Sequence, residues 1–289
     1  MDEHMIATVA EKTGEGIVDL TDSEFRLFSN LVYDRFGVNL TDKKKALVKG
    51  RLNSMLKTNG IGSFGAYYDR VVKDPTGRGL LELIDRLSTN HSFFFREQAH
   101  FGFLKEVVLP EVCSKLEAEG SRDLRIWSAG CAAGEEAYTL AMVLHDYFGP
   151  NIGAWDAGVL GTDISVSSLE TAAGGVYQSA KLGAIPGRYK PFVRKSGDDE
   201  FAMDERLKKL ITFRRLNLMR DEYPFKGRFQ IVFCRNVMIY FDKETKDRLI
   251  ARIRRYLKKD GYLFIGHSET LGRNPKGYRY IMPTVYQRS

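Results

Sequence analysis

The chain has 289 residues, 43% apolar and 28% charged, a globular composition that excludes wholesale disorder and collagen-like structure. Forty-four basic against 37 acidic residues leave a net charge of +7, which either favours an anionic partner or only aids solubility. No apolar window reaches the ~18 residues of a membrane span, the N-terminus lacks a signal-peptide pattern, and three scattered cysteines suit a reducing cytoplasm rather than a disulfide framework.

Residues 1–18 carry no sustained periodicity and are expected to form a mobile tail. Thr21 and Glu24 then make a capping-box pair, and Phe25, Phe28, Leu31, Val32 and Phe36 keep helical spacing until Gly37. Thr41 is placed to cap a second helix, which carries Lys43, Lys44, Lys45, Lys49, Arg51 and Lys57 and stops near Gly60. A third helix starts at Ser63 and breaks around Pro75. A fourth runs from about Gly79, with Leu80, Leu83, Ile84 and Leu87 inward. Four short amphipathic helices in succession predict a small all-α unit.

The segment Leu87–Glu97 is different in kind, because three consecutive phenylalanines bracketed by polar groups do not follow one helical stripe. On a helix, Ser92 and Arg96 share a face, with Asn90 just ahead. A guanidinium with neutral hydrogen-bonding neighbours suits a carboxylate. An inter-domain hinge with an Arg–Glu surface pair is the alternative.

From residue 122 strands and helices alternate. Leu124–Trp127, Gly158–Thr162, Phe229–Cys234 and Tyr262–Ile265 read as strands, and Tyr278–Gln287 as a final one. Glu135–Tyr147 and Val166–Ala173 read as helices, as does a stretch capped by Asp242 and closed by Gly261. The fold class is therefore α/β, with a doubly wound, mostly parallel sheet. Residues 178–212 interrupt the rhythm and read as an insertion, either a small antiparallel hairpin unit or a long surface loop.

In such a sheet, ligands bind outside the carboxyl ends of the strands. The first strand leads into Ser128-Ala129-Gly130-Cys131-Ala132-Ala133-Gly134-Glu135-Glu136, where glycine permits a tight turn and close backbone approach to a ligand. Two glutamates opening the helix suit a ligand with hydroxyls or positive charge. An ordinary turn with a dipole-matched acidic first turn is the alternative. Asp163 either accepts the ribose hydroxyls of a nucleoside or caps the next helix. Arg235 and Asn236 interrupt the apolar run Phe233–Phe241, where a charge needs a partner. They orient an anion or substrate, or form a buried structural ion pair.

Asn90–Glu97, Ser128–Glu136, Thr162–Ile164, Asn217-Leu218 and Phe233–Phe241, in that order, together resemble the motifs of the CheR-type chemotaxis receptor glutamate methyltransferases. Gly266–Glu269 is similar to a late turn of that family, and the likeness covers roughly residues 20–289. The resemblance implies a class I S-adenosylmethionine-dependent methyltransferase sheet with a small inserted β-subdomain. It divides the chain into a helical receptor-docking domain (19–88), a linker with a cofactor-contacting segment (89–121) and a catalytic domain (122–289, insertion about 178–212). The implied reaction esterifies glutamate side chains on the cytoplasmic domain of methyl-accepting chemoreceptors and leaves S-adenosylhomocysteine. By position, Asn90, Ser92, Arg96, Gly130, Glu135, Asp163, Asn217, Leu218, Arg235 and Asn236 would bind the cofactor. Arg96, Arg235 and Tyr240 would face the methyl-transfer centre. The basic residues Lys43, Lys44, Lys45, Lys49 and Arg51 would dock the glutamate-rich receptor helices, or else form a solvated face. In some members the inserted subdomain also grips a tethering peptide at the receptor's C-terminus.

A nucleic-acid methylase would place a proline-containing motif where Cys234-Arg235-Asn236-Val237 stands, so no nucleic-acid partner is expected. A nicotinamide enzyme would need Gly-x-Gly-x-x-Gly. A receptor-binding module without catalysis is opposed by the retained Arg96, Glu135, Asp163, Arg235 and Tyr240. His267-Ser268-Glu269 reads as a cleft-side turn rather than a hydrolytic triad. Cys113, Cys131 and Cys234 lack metal-ligand spacing, so no metal is expected. A monomer without membrane insertion is expected.

Overall fold

Capping decides where the first helix begins. The Thr21 hydroxyl accepts the Glu24 N–H, the Glu24 carboxylate accepts the Thr21 N–H, and α1 (Asp22–Phe36) runs from there to Gly37, whose φ of 69° ends it. The computed structural model describes residues 18–272 and 275–289; residues 1–17 of the expected tail lie outside the described residues. Helices α2 (Lys45–Thr58), α3 (Phe64–Lys73) and α4 (Arg78–Leu87) follow. Phe28, Val32, Val48, Leu52, Phe64 and Leu83 close a core of their own. Thr41 does not cap α2. A 3-10 turn over Asp42–Lys44 intervenes, and the Thr41 backbone carbonyl, not its side chain, takes the Lys44 N–H.

Residues 99–118, inside the stretch expected as a linker, are helical: α5 (Ala99–Phe103), a π-helical turn (Leu104–Val108) and α6 (Leu109–Ala118). Leu104, Val108, Leu109 and Leu116 join the main core. The remaining elements are β1 (Asp123–Ala129), α7 (Glu135–Phe148), β2 (Asp156–Asp163), α8 (Val166–Gly174), β3 (Val176–Gln178), β4 (Val193–Ser196), β5 (Glu200–Met203), α9 (Glu205–Lys208), β6 (Ile211–Arg215), β7 (Phe229–Cys234), α10 (Lys243–Tyr256), β8 (Leu257–Ile265), β9 (Tyr278–Met282) and β10 (Val285–Arg288). The main sheet has the order β6-β2-β1-β7-β8-β10-β9. Its first five strands are parallel, and β10 runs antiparallel to both neighbours. Alternation along each strand divides the core in two: Ile126, Ile231 and Phe233 belong to the cluster with α7, while Trp127, Val232 and Cys234 pack with Leu249 and Ile253 of α10.

Three sequence expectations need correction. Gly261 does not close α10. That helix stops at Tyr256, and Gly261 lies inside β8, where a Cβ would meet the Gln230 carbonyl at 2.8 Å. The single final strand is two, because Pro283 has no N–H for a ladder and Thr284 turns the chain at a φ of 64°. The insertion is a three-stranded antiparallel sheet, β3-β5-β4, that starts at Val176; Ile211–Arg215 has already left it to become the edge strand β6. Among the described residues no helix is long and apolar enough to cross a membrane.

From β1 the chain winds outward to β2 and β6 on one side, then returns to β7 and β8 on the other. The strand order therefore reverses between β1 and β7, which opens a crevice outside their carboxyl ends.

Candidate active site

That crevice holds a cavity of about 410 Å³, roofed by the helical unit and floored by the ends of β1, β2, β6 and β7. Its size is that of a small-molecule site. Asn90, Ser92, Arg96, Gly130, Asp163, Asn217, Leu218, Arg235, Asn236 and Tyr240 all line it, as does Lys44 from the helical unit.

Glu135 does not. It is fully buried, its partner is Lys181 of the inserted unit, and its Oε2 has no hydrogen-bond partner among the described residues. Glu136 faces the cavity instead. Consecutive helical residues point about 100° apart, so only the packing of α7 decides which of the two acids meets a ligand. Nothing in the sequence marks Glu136 out.

The segment before α5 is not a helix, so Ser92 and Arg96 reach the cavity by another route. Phe94 stands edge-on to Tyr177 at 5.0 Å, and Phe95 stacks on Tyr189 at 4.7 Å, both in the inserted unit. These two anchors cannot both be met from one helical face. Phe95 and Glu97 accordingly adopt φ values of 55° and 59°. Ala132 and Asn236, on the cavity wall, are also left-handed, at 48° and 59°. Strain of about 1–3 kcal/mol per such residue is tolerated where surrounding structure enforces it.

Gly130 sits at a φ of 81°, with no room for a Cβ beside the Val237 side chain. Gly130→Ala is therefore expected to distort the turn and to weaken nucleoside binding at least tenfold by calorimetry, while far-ultraviolet circular dichroism stays native.

Asp163 is 8% exposed and accepts the Ala132 N–H at 2.8 Å and the Ser165 N–H at 2.9 Å. Burial pushes its carboxyl pKa up, against those N–H bonds. It is not the helix cap, because Ser165 takes that role for α8 through the Ser168 N–H. Asn217 donates to the Arg35 carbonyl at 2.7 Å and so ties α1 to the sheet. Asn90 donates to Ser168 at 2.6 Å.

Arg235 lies in a buried ion network, the second of the two readings its sequence context allowed. Its side chain is 2% exposed. It meets Glu97 and Glu136 at 3.0 Å each and also donates to the Arg96 carbonyl. Burial raises the Glu136 pKa despite Arg235 and Ser128. Burial also works against the Glu97 carboxylate, but the His267 N–H and Arg235 outweigh it and lower its pKa. Beside them, burial and Arg235 bring His100 down to about 4, so its imidazole is neutral near pH 7. The late turn is held by Glu269, which accepts N–H groups from Asn236, Met238 and Gly266 at 2.7–3.0 Å. Its 8% exposure and role as a backbone clamp were not visible in the sequence.

Arg96, by contrast, has no carboxylate within ion-pair distance among the described residues; it donates to the His91 carbonyl and lies over Phe93. Lys44 stands 5.2 Å from the Tyr240 ring centre, and burial lowers its pKa. Of the rest of the expected docking face, two residues are neutralised and a third is tied to backbone carbonyls. Lys45 pairs with Asp22 at 2.5 Å, Lys49 pairs with Asp19 at 2.7 Å, and Arg51 holds the carbonyls of Leu87 and Ser88. Lys43 remains exposed.

The donor set fits S-adenosylmethionine. Asp163 has free lone pairs for ribose hydroxyls, Glu136 is an acid for an ammonium, and Ile164, Leu216 and Leu218 offer apolar surface for a flat base.

Known sequences lead to the same place. The family profile described as "CheR methyltransferase, SAM binding domain" matches residues 90–286, and "CheR methyltransferase, all-alpha domain" matches 23–88. A "Chemotaxis protein methyltransferase" of Borreliella burgdorferi is 43% identical over 94% of this chain and 96% of its own length. "Chemotaxis protein methyltransferase 1" of Pseudomonas aeruginosa is 37% identical over 90% and 94%, and a "Chemotaxis protein methyltransferase" of Escherichia coli is 34% identical over 93% and 92%. With both profiles in order and together spanning nearly all described residues, the chain belongs to the CheR methyltransferase family.

Proposed function

We propose that the protein transfers the methyl group of S-adenosylmethionine to glutamate carboxylates on the cytoplasmic helices of chemoreceptors, in the service of chemotaxis. The observation that carries the anionic acceptor is the pair of cations at the cavity, Arg96 and Lys44, neither of which has an acidic partner among the described residues. When bound, the cofactor supplies a sulfonium methyl, and an acceptor oxygen forms the new C–O bond as the C–S bond breaks.

A glutamate is already ionised at pH 7, with an unperturbed pKa near ~4.3, so these residues need only position it. Arg96 orients the carboxylate without a competing acid, and Tyr240 places its hydroxyl beside it. Arg235 acts at one remove, by fixing the Arg96 carbonyl and Glu136. The inserted unit anchors the Arg96 segment through Tyr177 and Tyr189.

Incubation with methyl-labelled cofactor and receptor-containing membranes tests the reading. Label on the receptor that mild base releases as methanol is expected; base-stable label, or none with a cofactor-binding enzyme, would overturn it. Lys44→Glu is expected to lower the low-salt methylation rate about tenfold. Lys49→Glu, an equal change in net charge, should do much less, since Lys49 does not line the cavity. Equal effects would show that net charge, not the cavity cation, guides the acceptor.

A further inference from the structure

Beside the cavity, three side chains of separate elements converge: Glu97 from the strained segment, His100 from α5 and His267 from the late turn. His100 Nδ1 is 3.5 Å from Glu97 Oε2, and His267 Nε2 is 3.8 Å from the same oxygen. All three candidate ligand atoms lie within 4.8 Å of one another. Zinc with bonds of ~2.0–2.1 Å in tetrahedral geometry spaces its ligands by about 3.3 Å. Two of the three edges therefore need to close by only a few tenths of an ångström.

The two ring nitrogens of His100 differ in their surroundings: Nε2 meets the Thr284 hydroxyl and Nδ1 faces Glu97. The Thr284 hydroxyl lies 2.6 Å from the Pro283 carbonyl and can donate its proton there. With its proton so placed it accepts from His100 Nε2–H, 2.7 Å away, the tautomer that leaves Nδ1 bare. A neutral imidazole so oriented turns its lone pair at Nδ1 towards Glu97. That nitrogen has no hydrogen-bond partner among the described residues, although His100 is 1% exposed. Two acceptors facing each other at 3.5 Å repel unless something positive lies between them. The Thr284 contact is also the outer-shell bond that orients a metal-bound histidine. His267, with its side chain 55% exposed, leaves the group open to solvent.

We propose that Glu97, His100 and His267 bind a zinc-class divalent cation, with water completing the coordination, and that occupation draws Glu97 away from Arg235 and slows methyl transfer. Arg235 holds the same Glu97 oxygen, with Nη2 at 3.0 Å and Nε at 3.3 Å. The cation and the guanidinium therefore compete for it. The site is then inhibitory rather than a resident cofactor site, and its affinity reflects the cost of loosening Arg235. The two nitrogens and one carboxylate select a transition metal over magnesium or calcium.

The inhibitory arm rests on the methyltransferase reading, whereas binding does not. Cobalt(II) titrated into the full metal-free chain, without cofactor or acceptor, reads the site directly through the visible bands of low-coordinate cobalt. Saturable one-to-one binding that zinc displaces is expected, weakened at least tenfold in His267→Ala and in His267→Gln. His267 does not line the cavity, so both variants should keep metal-free turnover and lose sensitivity to zinc. Absence of saturable binding below ~100 μM, or equal affinity in wild type and both variants, would overturn the site. Zinc binding that leaves turnover unchanged would overturn its coupling to Arg235.

Discussion

Arg235→Ala is expected to destabilise the protein by about 3–5 kcal/mol, the cost of breaking a buried ion pair from one side. Glu97 and Glu136 would be left facing each other with side-chain exposures of 11% and 13% and no compensating charge. Arg235 also lies over the Phe101 and Phe233 rings, at 5.3 and 5.9 Å, contacts the variant loses as well. Urea denaturation measures the change. Arg235→Lys should recover only part of it, since an ammonium cannot reproduce the guanidinium fork between two carboxylates and the Arg96 carbonyl. Combining Arg235→Ala with Glu97→Gln and Glu136→Gln should restore stability without activity. A loss below ~1 kcal/mol in the single variant would show that water already solvates this network.

Asp163→Ala is expected to weaken binding of S-adenosylhomocysteine at least a hundredfold, with the fold retained. Hydrogen bonds to a charged acceptor contribute about 1.5–3 kcal/mol each, and a ribose offers two hydroxyls. The variant also frees the N–H groups of Ala132 and Ser165, which Asp163 now holds, and so loosens the turn around Gly130. Asp163→Asn should fall between, because its amide nitrogen cannot accept either N–H. Calorimetric titration reads both. An unchanged affinity would place the ribose elsewhere in the cavity, leaving Asp163 as a brace for the turn alone.

The strand–helix rhythm, the Thr21–Glu24 cap and the buried run Phe229–Cys234 were legible because each depends on neighbours a few residues away. The last strands were less so. Proline and a left-handed threonine inside Tyr278–Gln287 break one apparent run into two, while the run of α10 hides an abrupt passage into β8 at Leu257. The helical content of residues 99–118 went unread because its apolar positions pass through a π turn and lose a simple period.

The cavity was legible in kind but not in detail. Ten expected cofactor or catalytic residues line it, since the motifs fall at strand ends where a doubly wound sheet must present them. Glu135 and Glu136 could not be told apart, because adjacent residues of a buried helix differ only in what surrounds them. The docking lysines looked like one basic face, but Asp19 and Asp22 arrive from the start of the chain to neutralise two of them.

Composition and periodicity by themselves determined an α/β sheet with a helical front unit, since these are set by local spacing, and the resemblance of the ordered motifs to the CheR family implied methyl transfer. Only the tertiary structure decided which charges are free and which are spent. Arg96 and Arg235 carry the same group, yet one faces the cavity without an acid partner among the described residues and the other is locked between two buried glutamates. The difference lies in partners up to 139 residues away in the chain, and a desolvated charge is defined by those partners rather than by its own sequence neighbours.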